Sequence, residues 1–151
     1  MKKFCLITLI ALAVFIVAPA AAWAQGGAKQ PDVVRDPDME KDSLHNLEVA
    51  RQYFKLRKAY KASLARCEEI IAGNPTFSKI DEVLLIAGQS SLRLSENKGK
   101  QSVKTTTDKL REDARDYLSM LVNNYPDSRF KGEAEEALKD LGGPKVKDSK
   151  Q

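Results

Sequence analysis

The chain has 151 residues, 25 basic and 21 acidic, for a formal net charge of +4. That length allows one domain, and so small an excess, with lysines and glutamates interleaved along the chain, argues against nucleic acid as a partner. One histidine, His45, and two cysteines fall short of a zinc site, which takes three or four ligands of suitable spacing.

Residues 1–24 read as a secretory signal. Lys2 and Lys3 form the positive head, an apolar run from Phe4 to Ala18 is broken only by Thr8, and Ala22-Trp23-Ala24 places small residues at a cleavage site before Gln25. An uncleaved anchor stays open as the rival reading, since residues 4–24 are just long enough to cross a bilayer. Pro19 and the alanine-rich end favour cleavage. Processing removes Lys2 and Lys3, leaving 23 basic residues against 21 acidic. Cys5 opens the apolar run, whereas a bacterial lipobox places its cysteine after that run, at the cleavage point. Cys67 is then alone, so the mature chain has no internal disulfide. It lies on an apolar stripe with Tyr60, Leu64 and Ile71 and reads as a small buried hydrophobe.

Residues 25–41 carry two glycines and two prolines with few large apolar side chains, the composition of a flexible leader. Helical patterning begins at Asp42 or Ser43, with Leu47, Ala50 and Phe54 on one face. A turn is predicted at Arg57 and Lys58, and a second helix over 59–72, ended by Gly73-Asn74-Pro75. Ser78 and Asp81 resemble a capping box for a third helix, whose close-packing face is Leu84, Ala87, Gly88 and Ser91. Residues 95–106, with Lys98, Gly99, Lys100 and Lys104, read as a mobile loop, with a basic contact site as the minority view. The fourth helix spans 107–124 with Leu110, Ala114, Leu118, Leu121 and Val122 inward. Tyr125-Pro126-Asp127-Ser128 breaks the chain and offers caps for a fifth helix. That helix runs to Leu141, with Phe130, Ala134, Ala137, Leu138 and Leu141 inward, and Gly142-Gly143-Pro144 stops it. Residues 142–151 form a polar, disordered tail. The helical domain is thus 42–141, and no segment has a strand pattern.

One helical phrase is written twice. Ser63, Cys67 and Ile70 stand 12, 8 and 5 residues before Pro75, and Ala114, Leu118 and Leu121 stand at the same offsets before Pro126. Repetition of this kind points to stacked helix pairs and to a surface offered to other proteins.

These residues resemble the tetratricopeptide repeat, an antiparallel helix pair. Ala50 and Gly88 match the small position of its first helix, the former if its turn is one residue longer than usual. Ser63, Cys67, Ile70 and Pro75, and then Ala114, Leu118, Leu121 and Pro126, match its second helix. The stretch Leu121-Val122-Asn123-Asn124-Tyr125-Pro126-Asp127-Ser128, followed by Ala134, is similar to outer-membrane assembly lipoproteins of the BamD (YfiO) type, with a periplasmic repeat protein of the Tol-Pal system nearly as close. The resemblance covers residues 44–141. It implies an all-α fold of about five helices, stacked as antiparallel pairs in a short right-handed solenoid. It also implies a periplasmic scaffold without cofactor, whose partners are proteins or peptides, outer-membrane assembly components among them. In the family the first helix of each pair lines a groove, which puts Arg51, Lys55, Gln89 and Arg93 there, continued by Glu133, Glu136 and Asp140. The groove is then basic at one end and acidic at the other.

No constellation for catalysis is found. The acidic clusters Glu68-Glu69, Asp81-Glu82 and Glu133-Glu135-Glu136 read as solvated helix faces, and no glycine-rich phosphate cradle is present. Two roles remain: an adaptor in envelope assembly, or a self-associating structural repeat protein, since short arrays bury their faces only against neighbours. Membrane contact is expected only through residues 1–24, if they are kept.

Overall fold

The computed structural model describes residues 35–146. The predicted signal, residues 25–34 of the leader and residues 147–151 of the tail lie outside them. The described chain is all-helical, with five α-helices packed in adjacent pairs as a short tetratricopeptide-like solenoid, and no strand occurs among the described residues.

The first helix, α1, spans Pro37–Gln52, so it begins five residues before the predicted start at Asp42. The Asp36-Pro37 step explains the difference. Asp36 sits at the N-cap in extended conformation, and its Oδ1 accepts from the N–H groups of Asp38 and Met39 at 2.9 and 3.4 Å. Pro37 occupies the first helical position, where its missing donor costs nothing. A proline counted as leader composition is in fact part of a helix start. Glu40 then ties this turn to a distant loop by accepting from the N–H of Ser78 at 3.1 Å.

Beyond Gln52 the helix widens into a π-helical segment, Tyr53–Arg57, closed by Lys58 in the left-handed region at φ 51°, with the Lys58 N–H bonded to the Tyr53 carbonyl. The predicted turn falls at this point. A π turn takes one residue more than an α turn. The second helix, α2, spans Tyr60–Gly73 and the third, α3, spans Ile80–Ser95. The capping box expected at Ser78 and Asp81 does not form. Lys79 is the N-cap and lends no side-chain bond, Ser78 is taken by Glu40, and Asp81 accepts from the Ser128 hydroxyl at 2.6 Å.

The fourth helix, α4, covers Thr107–Asn124 and is capped by Thr106, whose side chain accepts from the Lys109 N–H. The fifth, α5, covers Lys131–Lys139, two residues shorter than expected at its end. Ser128 does serve its start, accepting from the Phe130 N–H at 3.1 Å.

The two copies of the helical phrase take the same places. Ser63, Cys67, Ala114, Leu118 and Leu121 are fully buried, as is all but a trace of Ile70. The Asn74 N–H bonds Ile70 O at 2.8 Å and the Tyr125 N–H bonds Leu121 O at 2.9 Å, so both helices close alike before their prolines. Helix α3 is the centre. Its Val83, Ile86 and Ala87 join Leu47, Ala50, Cys67, Ile70 and Phe77 in one core cluster. Leu84 and Leu85 join Leu118, Leu121, Ala134 and Leu138 in a second. Leu84, Ala87, Gly88 and Ser91, the predicted close-packing face of α3, are all buried, and the buried surface of the helix extends beyond them toward both neighbours.

Small residues set the spacing within each pair. The Ser63 hydroxyl donates to the Ala50 carbonyl at 3.0 Å, drawing α2 against α1. In the second pair, a Cβ on Gly88 would stand 2.6 Å from Leu118 Cγ and 3.3 Å from the Ala114 carbonyl oxygen.

The tail departs from expectation as far as it is described. Arg115 donates to the Gly143 carbonyl at 2.7 Å, the Lys145 N–H donates to Ser119 Oγ at 2.8 Å, and Asn123 donates to the Lys145 carbonyl at 2.9 Å. The Lys145 ammonium pairs with Asp116. Residues 143–145 are therefore a strap laid along α4, not free chain. The 95–106 loop is also anchored: Gln101 Oε1 accepts from the Ala62 N–H at 3.2 Å, capping an α2 start that Ala59 leaves uncapped.

Candidate functional site

The alternate helices α1, α3 and α5 reach one another through side chains, and these contacts define a shared face. Arg51 on α1 forks onto Glu82 on α3, with Nε to Oε1 and Nη2 to Oε2 both 2.7 Å. It also donates to Glu48 at 3.1 Å. Arg129, just before α5, approaches Glu82 Oε2 at 3.7 Å. Gln89 on α3 donates to Glu133 Oε1 on α5 at 2.6 Å.

Of the four residues expected to line a groove, Arg51 and Gln89 therefore spend their donors holding neighbouring helices together. Lys55, in the π segment, and Arg93, near the end of α3, are exposed. Among the described residues Arg93 pairs with Glu96, at 3.6 Å. Glu133, Glu136 and Asp140 lie exposed on or beside α5. The structure joins Arg51 to α3 and Gln89 to Glu133, while no direct contact ties Lys55 to Arg93.

Glu82 and Arg129 belong to this network and were missed from sequence. Glu82 is only 8% exposed, so the solvated reading fails for it, and Asp81 beside it is half-buried and bonded to Ser128. Glu68 and Glu69 do lie exposed. A signal for Glu82 was present, because it directly precedes the apolar run from Val83 to Ala87, and a carboxylate buried with such a run needs a paired cation. The hydrogen bonds from Arg51 hold the Glu82 carboxyl below the usual carboxylate range, against the opposing effect of burial. A general acid needs the reverse shift, so this buried carboxylate is built to stay charged.

His45 is exposed on α1. Cys67 is buried and free, and desolvation pushes its thiol up to about 12, which makes it inert. Among the described residues no group of three or more His, Cys, Asp or Glu side chains could hold a metal ion, and no helix is long and apolar enough to cross a membrane. The face is an arrangement of paired and exposed charges.

A family model described as YfiO, outer membrane lipoprotein, matches residues 37–143. Its limits coincide with the start of α1 and the turn after α5. No curated protein and no solved structure matches the chain.

Proposed function

Because the chain belongs to the YfiO family of outer membrane lipoproteins, we propose that it is a non-enzymatic, periplasmic scaffold for protein contacts in outer-membrane assembly. The observation that carries this reading is the face shared by α1, α3 and α5. The Arg51–Glu82 fork and the Gln89–Glu133 bond hold it in fixed spacing. Exposed charges of opposite sign flank it, Arg93 toward the end of α3 and Glu133 and Glu136 on α5. A rigid face with separated charges binds an extended segment or a partner helix in one direction, since electrostatic complementarity fixes register more than it adds affinity. Delivery by residues 1–24 as a signal belongs to the same proposal.

The test follows from which charges are free. Arg51→Glu would break the fork with Glu82 and disturb the fold, so it is a poor probe of binding. Arg93→Glu combined with Glu136→Lys reverses the face at two exposed points and leaves the Gln89–Glu133 bond intact. Crosslinked envelopes should yield the β-barrel assembly machinery with the parent protein and much less of it with the double variant, at unchanged helicity. Equal recovery from both would remove this face as the binding site.

A further inference from the structure

Two basic stretches of the sequence lack acidic residues. None lies between Glu48 and Glu68, and none between Glu96 and Asp108. In the chain they are far apart, and overall the charges look mixed. The fold puts the two together. The second is the loop after α3, and it folds against the turn between α1 and α2. Gln101 accepts from Ala62 in the first turn of α2. Gly99, at φ 100°, comes so close that a Cβ there would lie 2.9 Å from the Lys58 carbonyl oxygen and 3.0 Å from the Tyr60 ring. Only glycine takes that backbone conformation without strain, so residue 99 is what allows the loop to dock.

The result is one end of the molecule bearing Arg57, Lys58, Lys61, Lys98, Lys100 and Lys104, all exposed. Among the described residues only Lys98 of these has a carboxylate partner, Glu96 at 2.8 Å. Glu96 and Asp108, the latter in the first turn of α4, are the acids that bound the loop in sequence. Within the cluster Leu56 stands 80% exposed in the π segment.

We infer that this end is a docking surface for the phosphate headgroups of an anionic bilayer. Three features favour lipid over an acidic protein. Five of the six cations are lysines, which are depleted in specific protein interfaces, whereas arginine is enriched there. Lysine carries a compact, hydrated charge on a flexible stem, suited to a diffuse field of headgroups rather than to two-pronged recognition of one carboxylate. Leu56 gives the patch an apolar point able to enter the boundary between headgroups and acyl chains. Membership of an outer membrane lipoprotein family puts such a surface within reach. The inference adds a second mode of membrane contact to the one expected from residues 1–24.

The experiment is co-sedimentation of the full chain with vesicles. One set is neutral phosphatidylcholine and the other adds phosphatidylglycerol. The parent is expected to bind the anionic set more tightly, and to lose that preference as salt is raised. Lys58→Gln, Lys100→Gln and Lys104→Gln together should lower binding to anionic vesicles roughly a hundredfold, at about fivefold per charge, with unchanged circular dichroism. Any contribution from residues 1–34 is common to parent and variant. Equal binding to neutral and anionic vesicles overturns the inference, as does a triple variant that binds like the parent. Tighter binding of the parent to polyglutamate than to anionic vesicles at the same salt would reassign the surface to an acidic protein, which also overturns it.

Discussion

Gly88 is where the geometry and the intrinsic preference of the helix make opposite forecasts. On an unconstrained helix, Gly88→Ala stabilises by ~1 kcal/mol, because alanine loses less backbone freedom on folding. Here the new methyl would lie 2.6 Å from Leu118 Cγ, 2.8 Å from Leu118 Cδ2 and 3.3 Å from the Ala114 carbonyl oxygen. Leu118 is fully buried, and the Ala114 oxygen is backbone, so neither swings aside cheaply. Overpacking of this kind costs ~1–3 kcal/mol. The sum is a net loss of about 1 kcal/mol, with a spread of about 1 either way, and the melting temperature should fall by roughly 4–8 °C per kcal/mol for a domain of this size. The decisive comparison uses Leu118→Ala as a second background. That change alone should cost ~2–5 kcal/mol through the cavity it leaves, and it removes both leucine atoms that crowd the new methyl. In that background Gly88→Ala should become stabilising. Urea unfolding followed by circular dichroism, with constant denaturant slope, measures all four corners of the cycle. If Gly88→Ala has the same sign in both backgrounds, the α3–α4 spacing is not set at this contact and the reasoning fails.

Two further outcomes test the buried groups. Glu82 has a folded-state pKa below its ordinary value, chiefly through hydrogen bonds from Arg51. Its contribution is therefore full above the unfolded value of about 4.3 and disappears as pH falls through the depressed folded value. Glu82→Gln should cost ~1.5–3 kcal/mol near neutral pH, the range for hydrogen bonds between charged groups, and the gap from the parent should close in acid. A gap that stays constant down to strongly acidic pH would show that Glu82 is not stabilising as an anion. Cys67 is fully buried with its thiol pushed up to about 12. In a Cys5→Ser background it should resist a thiol reagent at neutral pH and react at once in urea. Equally fast labelling in the native state would show that α2 does not present this residue to the core.

The repeat was legible because its signals are local. A proline marks each helix end, and the spacing of small and apolar residues before it sets one face, on which Ser63, Cys67, Ile70, Ala114, Leu118 and Leu121 are all buried. Caps were less legible, since several donors and acceptors compete within a few residues and partners from elsewhere decide between them. Ser78 lost its expected role to a carboxylate 38 residues away. The π segment left no pattern to read, because widening one turn shifts the hydrogen bonds without changing residue types. The groove residues were placed on a face that does join alternate helices, yet the pairing of Arg51 with Glu82 depends on α3 lying beside α1, 31 residues on. The charge separation was hidden for the same reason. Acidic and basic stretches alternate along the chain, and antiparallel return of the helices sorts them in space.

The strap over α4 bears on how this array could grow. Repeat proteins lengthen by adding units at an end, and each end needs a polar finish to stay soluble. Here a few residues after α5 lie along one flank of α4, bonded to it through Arg115, Ser119 and Asn123. Any helix added to that flank must first displace them. Fusing a further pair beyond Gln151 would leave the flank occupied and the new unit without a neighbour to bury against. Splicing the pair in directly after α5, with Gly143 to Lys145 removed, would leave the flank open to receive it.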